Sequence, residues 1–272
     1  MEKGDVQPFK VQKEQMQITS VQKALRILKL FSHKDPELGV SEISRRLGIA
    51  KSTVSRLVQI LCQEGLLKKN PETRKYHLSL TVFEIGSIVY QEIDIVQVAL
   101  PLLKKLLPVV NGVIQLAIYD NGGIVYLLKL PEHHDQHVIN SMGKRVPAHL
   151  TAAGKALLAF QSDEEIAQYI SKPLERSTEQ TITCSDKLWN ELIKIRESGY
   201  STSFGEYQEM VGAVAIPIMD EEGKVMASLS VTKPKNLLNS NQIQRILPEM
   251  KMKGRIIAER LEGMTWEHPL FS

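Results

Sequence analysis

The feature that most restricts the fold is a pair of short helices hinged on one glycine. Residues 41–47 put Ile43 and Leu47 on one face at helical spacing, and Gly48 supplies a left-handed stop. Three residues on, residues 51–63 form a helix with two chemically distinct sides. At about 100° per residue, Val54, Leu57, Val58 and Leu61 share one side. Ser52, Ser55, Arg56 and Gln59 share the other, and each is a hydrogen-bond donor without negative charge. A short helix, a tight turn and a donor-faced helix predict a helix-turn-helix, whose second helix enters the major groove of DNA.

The chemistry of that second helix suits base reading. Arg56 can pair bidentately with guanine, and Gln59 can read adenine. Lys51, Ser52 and Thr53 stand at the helix N-terminus, where backbone N–H groups and the helix dipole favour a phosphate. Ser55, with Ser41 and Arg45 on the preceding helix, completes the helical part of the candidate DNA-binding set. After it come Leu66-Leu67-Lys68-Lys69, Asn70-Pro71-Glu72-Thr73 and Arg74-Lys75-Tyr76-His77-Leu78. Two short strands about an Asn-Pro turn predict a wing, with Arg74 and Lys75 along the phosphate backbone. Each feature alone is equally well a solvated helix face or hairpin; their order makes a winged helix-turn-helix. Upstream, Thr19 and Gln22 make a capping box. It opens a helix with Val21, Ala24, Leu25, Leu28 and Phe31 on its main apolar face, while Ile27 and Leu30 lie beyond that face and are available to a dimer contact.

Charge separates the first third from the rest. Residues 1–80 carry 15 Lys and Arg against 8 Asp and Glu, a balance of +7; residues 81–272 carry 19 against 23, a balance of −4. A basic module joined to a mildly acidic remainder fits a polyanion-binding unit coupled to something else. The length of 272 residues predicts two folded units. No run of about 18 apolar residues exists to span a membrane. Residues 1–17 are polar, lack an apolar signal core and predict a flexible tail. Two distant cysteines, Cys62 and Cys184, rule out a disulfide framework and fit a reduced, cytoplasmic location.

Beyond residue 80 the pattern changes. Residues 81–92 and 95–110 read as helices, the first as the linker between domains. The period then switches to two: residues 113–119 and 124–130 flank Asn121-Gly122, a strong hairpin signal. Helices follow over 151–160, 162–170 and 185–197, then a second hairpin over 213–219 and 224–232. A closing helix over 239–261 carries Pro248 as a kink or break. Hairpins mixed with helices, without strict β-α-β alternation, predict an antiparallel sheet flanked by helices, a mixed α/β (α+β) chain. The expected domains are a tail over 1–17, a winged helix-turn-helix over 18–80, a linker helix over 81–96 and a second domain over 97–272.

Residues 40–57, Val40-Ser41-Glu42-Ile43-Ser44-Arg45-Arg46-Leu47-Gly48-Ile49-Ala50-Lys51-Ser52-Thr53-Val54-Ser55-Arg56-Leu57, closely resemble the DNA-binding segment of IclR-family transcription regulators. Residues 145–156, Gly199-Tyr200, Glu209, Ala215-Ile216-Pro217 and Leu229-Ser230-Val231 are similar to later family motifs in the same order. Residues 176–183 and the ending Glu267-His268-Pro269 resemble the ketodeoxygluconate-responsive repressors of pectin breakdown. The resemblance implies a GAF-like, antiparallel-sheet sensor domain and a regulator, mostly a repressor in this family, that binds a palindromic operator in double-stranded DNA. Self-association as a dimer or tetramer follows from the same resemblance, as does an operator affinity set by a small organic acid. An activator of the same family is the alternative. A more distant one is a ligand-binding or enzymatic C-terminal domain with incidental DNA binding.

The same resemblance places the effector near Ser203, Ala213, Ser230 and Thr232, with backbone N–H groups at Met142 and Gly143. Ser230 and Thr232 are two apart on one strand, so their hydroxyls share a face; a hydroxyl pair with no ligand is the alternative. Many family members carry Asp, Cys and Gly where Ser203, Ala213 and Met210 stand, which makes this pocket less acidic and differently shaped.

Other signals lead away from catalysis. His133, His134 and His137 form a string with Asp135 beside it and His149 further on, a spacing that zinc can use, but Pro131 precedes it and a solvated polar loop is the expected state. There is no dinucleotide-binding, Walker, nucleophile-elbow or zinc-protease motif. No enzyme activity, cofactor or metal is expected, and both cysteines are expected to be structural.

Overall fold

The computed structural model describes residues 19–32, 35–91, 93–131, 143 and 145–262. The chain divides into two compact units, residues 1–92 and 93–272.

In the first unit, α1 (Ser20–Leu28) starts at Thr19 through a reciprocal capping box with Gln22. The helix α2 (Val40–Leu47) ends at Gly48, whose φ of +65° is the left-handed cap that glycine supplies without strain. Ser44 Oγ donates to the Ile49 carbonyl at 2.6 Å and fastens the turn. The helix α3 (Lys51–Gln63) buries Val54, Leu57, Val58 and Leu61, the face that the helical spacing selects. A hairpin of β1 (Leu67–Lys69) and β2 (Tyr76–Leu78) follows, pairing Leu67 with Leu78 and Lys69 with Tyr76. Leu38 adds an antiparallel bridge to Tyr76 on the other side of β2. Asn70 turns the hairpin by accepting from the backbone of Glu72 and Thr73, an Asx turn. Glu37 then accepts from the Asn70 amide and the Thr73 hydroxyl. The helix α4 (Leu80–Gln91) completes the unit.

The phase expected for α1 needs correcting. Ile27, placed beyond the main stripe, is 0% exposed in the core, and Leu30 packs partly against the same cluster. Val21 and Leu25 are 69% and 52% exposed. The apolar surface left for another chain is therefore Val21 and Leu25, not Ile27 and Leu30.

The second unit opens with α5 (Asp94–Val110) and continues into a six-stranded sheet, every neighbouring pair antiparallel. The strands are β3 (Val113–Asp120), β4 (Gly123–Leu130), β5 (Arg145–Pro147), β6 (Ser201–Phe204), β7 (Val211–Met219) and β8 (Val225–Pro234), in the order β5-β4-β3-β8-β7-β6. Asn121 and Gly122, at φ +48° and +77°, turn the β3–β4 hairpin, as a two-residue turn matching strand twist requires. Between β5 and β6 lie α6 (Ala152–Leu158), α7 (Asp163–Ile170) and α8 (Ser185–Ser198). The helix α9 (Ser240–Glu262) runs on through Pro248 without a break.

Alternation along the strands divides the sheet's two faces. Ile114, Leu116, Val214, Ile216, Leu229 and Val231 pack in one core with residues of α5 and α9. Ala117, Ile124, Tyr126 and Ala215 belong to a second core that contains α6. That second face carries the polar residues.

Candidate functional site

Two separate candidates emerge, one in each unit. In the first unit Ser41, Arg45, Lys51, Ser52, Arg56 and Gln59 are exposed, while Thr53 and Ser55 are half-buried on the same helix. Arg46 is differently placed: its guanidinium takes both oxygens of Asp35 at 2.9 Å and Glu42 at 2.5 Å. Among the described residues no salt bridge engages Arg45, Lys51, Arg56 or Arg74. Arg74, at φ +60°, and Lys75 are exposed at the wing. The unit therefore offers cations and neutral donors along α3 and at the wing, which suits a phosphate backbone and base edges.

In the second unit the strand register gathers the expected effector residues into two adjoining rows. Ser203 lies opposite Ala213, and Ala213 opposite Thr232. In the next row Ser230 lies between Ala215 and Gln115, and Gln115 faces Lys129 on β4. Directly opposed residues on antiparallel strands have Cβ atoms about 5 Å apart, so these side chains form one continuous patch. Ser203, Ser230, Thr232, Gln115 and Lys129 are all buried. Thr232 Oγ1 donates to Gln115 Oε1 at 3.1 Å, and Ser230 Oγ donates to the Gln115 carbonyl at 3.4 Å. Burial pushes the Lys129 ammonium down from the ordinary lysine range.

The N-terminal turn of α6 packs in the core of this face. Thr151 caps it by accepting from Gly154 N at 2.9 Å, and Ser201 Oγ donates to the Ala152 carbonyl at 2.5 Å. A Cβ at Gly154 would fall 2.1 Å from the Ala148 carbonyl oxygen, so only glycine allows that approach. Tyr126 is buried nearby, and burial raises its phenol to about 12, offset in part by the Thr151 side chain. At the β4 edge Gly143 donates its N–H to the Tyr126 carbonyl at 3.0 Å. Met142 lies outside the described residues, as do His133, His134 and His137. His149 is committed to the protein: Nδ1 meets Tyr169 Oη at 2.6 Å and Nε2 meets the Glu175 carbonyl at 2.9 Å. Cys184 is exposed at the cap of α8, and Cys62 is half-buried with its thiol pushed up by burial.

Sequence reasoning did not single out Gln115 or Lys129. A signal existed, because each is the lone polar residue in an otherwise apolar strand segment, Val113-Ile114-Gln115-Leu116 and Leu127-Leu128-Lys129-Leu130. The segment over residues 176–183 also has a structural task. Thr178 and Thr181 are buried, and their hydroxyls donate to the Gly205 and Glu206 carbonyls at 2.6 and 2.7 Å, holding the loop that follows β6.

Comparison with known families decides the lineage. The IclR helix-turn-helix domain matches residues 20–71, and the C-terminal domain of bacterial IclR transcriptional regulators matches residues 88–259. The chain belongs to the IclR family. Within the IclR family it is 31% identical over 245 residues to the transcriptional regulator KdgR of Escherichia coli K12, covering 90% of this chain and 93% of that protein. It is 26% identical to the E. coli K12 transcriptional repressor AllR, covering 82% and 83%. An IclR homologue from Microbacterium hydrocarbonoxydans, solved with 4-hydroxybenzoate, superposes with a TM-score of 0.76 at 25% identity, covering 90% of this chain and all of that one. This IclR-family protein is a DNA-binding transcription regulator, and no helix among its described residues is long and apolar enough to cross a membrane.

Proposed function

We propose that this regulator is a cytoplasmic repressor that binds a palindromic operator and whose affinity changes when a small organic acid, of the sugar-derived keto-acid class, occupies the polar face of the second unit. The observation that carries this reading is the buried patch of Ser203, Ser230, Thr232, Gln115 and Lys129 on a sheet face that otherwise packs a core. A buried face that gathers hydroxyl, amide and ammonium groups suits a small acid that carries hydroxyls. The relative solved with 4-hydroxybenzoate carries a carboxylate ligand, and the relative AllR is a repressor. Ser41, Arg45, Lys51, Ser52, Thr53, Ser55, Arg56, Gln59, Arg74 and Lys75 form the DNA surface in this reading. Met142, Gly143, Ser203, Ala213, Ser230 and Thr232 contribute to the effector site.

Coupling between the two sites is thermodynamic linkage: the acid shifts operator affinity by the ratio of its affinities for the two DNA-binding states. Self-association draws support from exposed Val21 and Leu25 on α1 and from Leu80, Phe83, Ile85 and Ile88 on α4, since exposed apolar patches mark interaction surfaces. Fluorescence anisotropy on DNA upstream of the coding sequence, against random DNA, tests the whole reading. Preference of about 10³ with a steep negative salt slope supports it, as does an affinity change with a sugar acid. Equal binding to both DNAs, at every salt concentration and with every acid, refutes it.

A further inference from the structure

The wing is built around a carboxylate that charge alone would keep away from it. Asn70 is the hub of the turn between β1 and β2. Its side-chain oxygen accepts from Glu72 N at 2.9 Å and from Thr73 N at 3.3 Å. Its N–H donates to the Lys75 carbonyl at 2.8 Å, and its carbonyl accepts from Arg74 N at 3.0 Å. Arg74 is held there at φ +60°, a left-handed backbone that a residue other than glycine keeps only where its surroundings impose it. An amide that accepts through its oxygen still has two N–H groups to donate. Asn70 Nδ2 gives one to Glu37 Oε1 at 2.7 Å, which fixes the amide with its oxygen toward the turn. Thr73 Oγ1 donates to Glu37 Oε2 at 3.0 Å and accepts from Lys75 N at 3.3 Å. One carboxylate thus holds both the hub of the turn and the residue just before Arg74 and Lys75.

Glu37 is itself fixed by its neighbours. The backbone N–H and carbonyl of Leu38 each pair with Tyr76 at 2.9 Å, and Asp35 receives the Arg46 guanidinium of α2 on both oxygens. Residues 35–38 therefore strap the wing to the helix-turn-helix. The Asn70 and Thr73 hydrogen bonds hold the Glu37 carboxyl below its usual range, so it is charged at neutral pH. A negative charge on a module that binds a polyanion opposes binding, and geometry rather than charge accounts for its place. Resting on the DNA surface proposed above, we propose that Glu37 is a positioning residue for DNA binding: by clasping Asn70 and Thr73 it sets the wing turn so that Arg74 and Lys75 face the phosphate backbone.

Phosphate contacts do not depend on sequence, so the probe is a fluorescein-labelled random-sequence duplex, titrated with the full chain at several salt concentrations and read by anisotropy. Charge and clasp predict opposite signs for Glu37→Ala. Loss of a repelling charge alone would tighten binding. Loss of the clasp should weaken it roughly threefold or more, with a salt slope shallower by about 0.9 for each phosphate contact given up. Glu37→Gln keeps an acceptor for Asn70 and sheds the charge, so it should bind at least as tightly as wild type. In a background of Arg74→Ala with Lys75→Ala, Glu37→Ala should cost nothing further, because the cations it positions are gone. A loss of equal size in that background would mean a general structural role and overturns the proposal. Wild-type or tighter binding by Glu37→Ala overturns it too, as does a loss in Glu37→Gln as large as in Glu37→Ala. If Glu37→Ala does not fold, Thr73→Val takes its place: it breaks one arm of the clasp and should weaken binding in the same direction, and unchanged affinity overturns the clasp. Wild-type affinity and salt slope in Arg74→Ala with Lys75→Ala itself would instead overturn the wing's part in the DNA surface, and the positioning role with it.

Discussion

Lys155, 1% exposed on α6, holds its Nζ 2.9 Å from Oε1 and 2.8 Å from Oε2 of Glu206, with Glu191 at 3.5 Å. One buried ion pair thus joins the helix on the polar face to the loop that follows β6. Burial pushes the Glu206 carboxyl up, and Lys155 opposes that push. Removing one partner strands the other charge in the interior, which costs about 3–5 kcal/mol, whereas an apolar replacement of both can be neutral. Lys155→Met should therefore lower the urea midpoint strongly, and Lys155→Met with Glu206→Leu should recover most of it. Additive losses in the double variant would show that the two charges do not depend on each other.

Two glycines separate backbone strain from steric exclusion. Gly48 needs its φ of +65°, but an added Cβ would meet nothing within 4 Å. Gly48→Ala should cost about 1–2 kcal/mol, the penalty of a left-handed alanine. Gly154 has helical backbone, yet its Cβ would sit 2.1 Å from the Ala148 oxygen and 2.6 Å from the Ala148 Cα. Gly154→Ala must displace the backbone at Ala148 and should be the more damaging change. Thermal unfolding of the two variants ranks them; a milder loss at Gly154 would mean that the Ala148 turn yields easily.

On DNA, Arg56 and Lys75 should behave differently. Arg56 is exposed on α3 and Lys75 is exposed on the wing; in the proposed DNA surface Arg56 reads a base and Lys75 meets the phosphate backbone. Arg56→Ala is expected to cost about 1–3 kcal/mol on the operator and to relax preference at one position. Lys75→Ala should weaken operator and random DNA alike and reduce the salt slope by about one contact. Titrations at several salt concentrations distinguish the two; equal losses for both variants on both DNAs would remove Arg56 from base reading.

His149 predicts a pH dependence with a definite sign. Burial holds its imidazole below the usual value, and both ring nitrogens are engaged in a neutral network with Tyr169 and Glu175. The unfolded chain therefore binds a proton more readily than the folded one, so stability rises with pH in this window. The contribution is complete above about pH 6.5 and is lost as pH falls below it. Urea midpoints between pH 7.5 and 5.5 should fall for wild type and fall less steeply for His149→Gln. Parallel slopes would assign the acid sensitivity to other groups.

What was legible in the sequence follows from the length and polarity of each element. The α3 bounds, the Thr19 capping box, the Gly48 stop and the Asn121-Gly122 hairpin all rest on local chemistry, and all are present. The strands β5 and β6, of three and four residues, are too short for a period of two to show. Ser230 and Thr232 could be placed on one face from spacing alone. That Gln115 lies between them and Lys129 depends on strand order, β4-β3-β8, which is non-local. The α1 phase failed for a related reason. Val21, Leu25 and Ile27 are all apolar, so periodicity could not say which side meets the core and which side is left exposed.

That ambiguity on α1 gives a direct test of self-association. Ile27, fully buried in the first unit's core, should lose about 2–4 kcal/mol of stability on truncation to alanine. Val21 and Leu25 stand on the exposed side, so a charge there meets water in the isolated chain and should leave its unfolding within about 0.5 kcal/mol. If α1 contributes to a contact between two copies, Val21→Glu with Leu25→Glu must bury two carboxylates in that contact, which is strongly unfavourable. Sedimentation velocity should then show the double variant at a smaller mass than wild type, with operator binding weakened because two half-sites are no longer held together. Ile27→Ala should lower the unfolding midpoint at a wild-type sedimentation coefficient. A double variant that sediments like wild type would move the interface off α1 and turn attention to the exposed apolar face of α4.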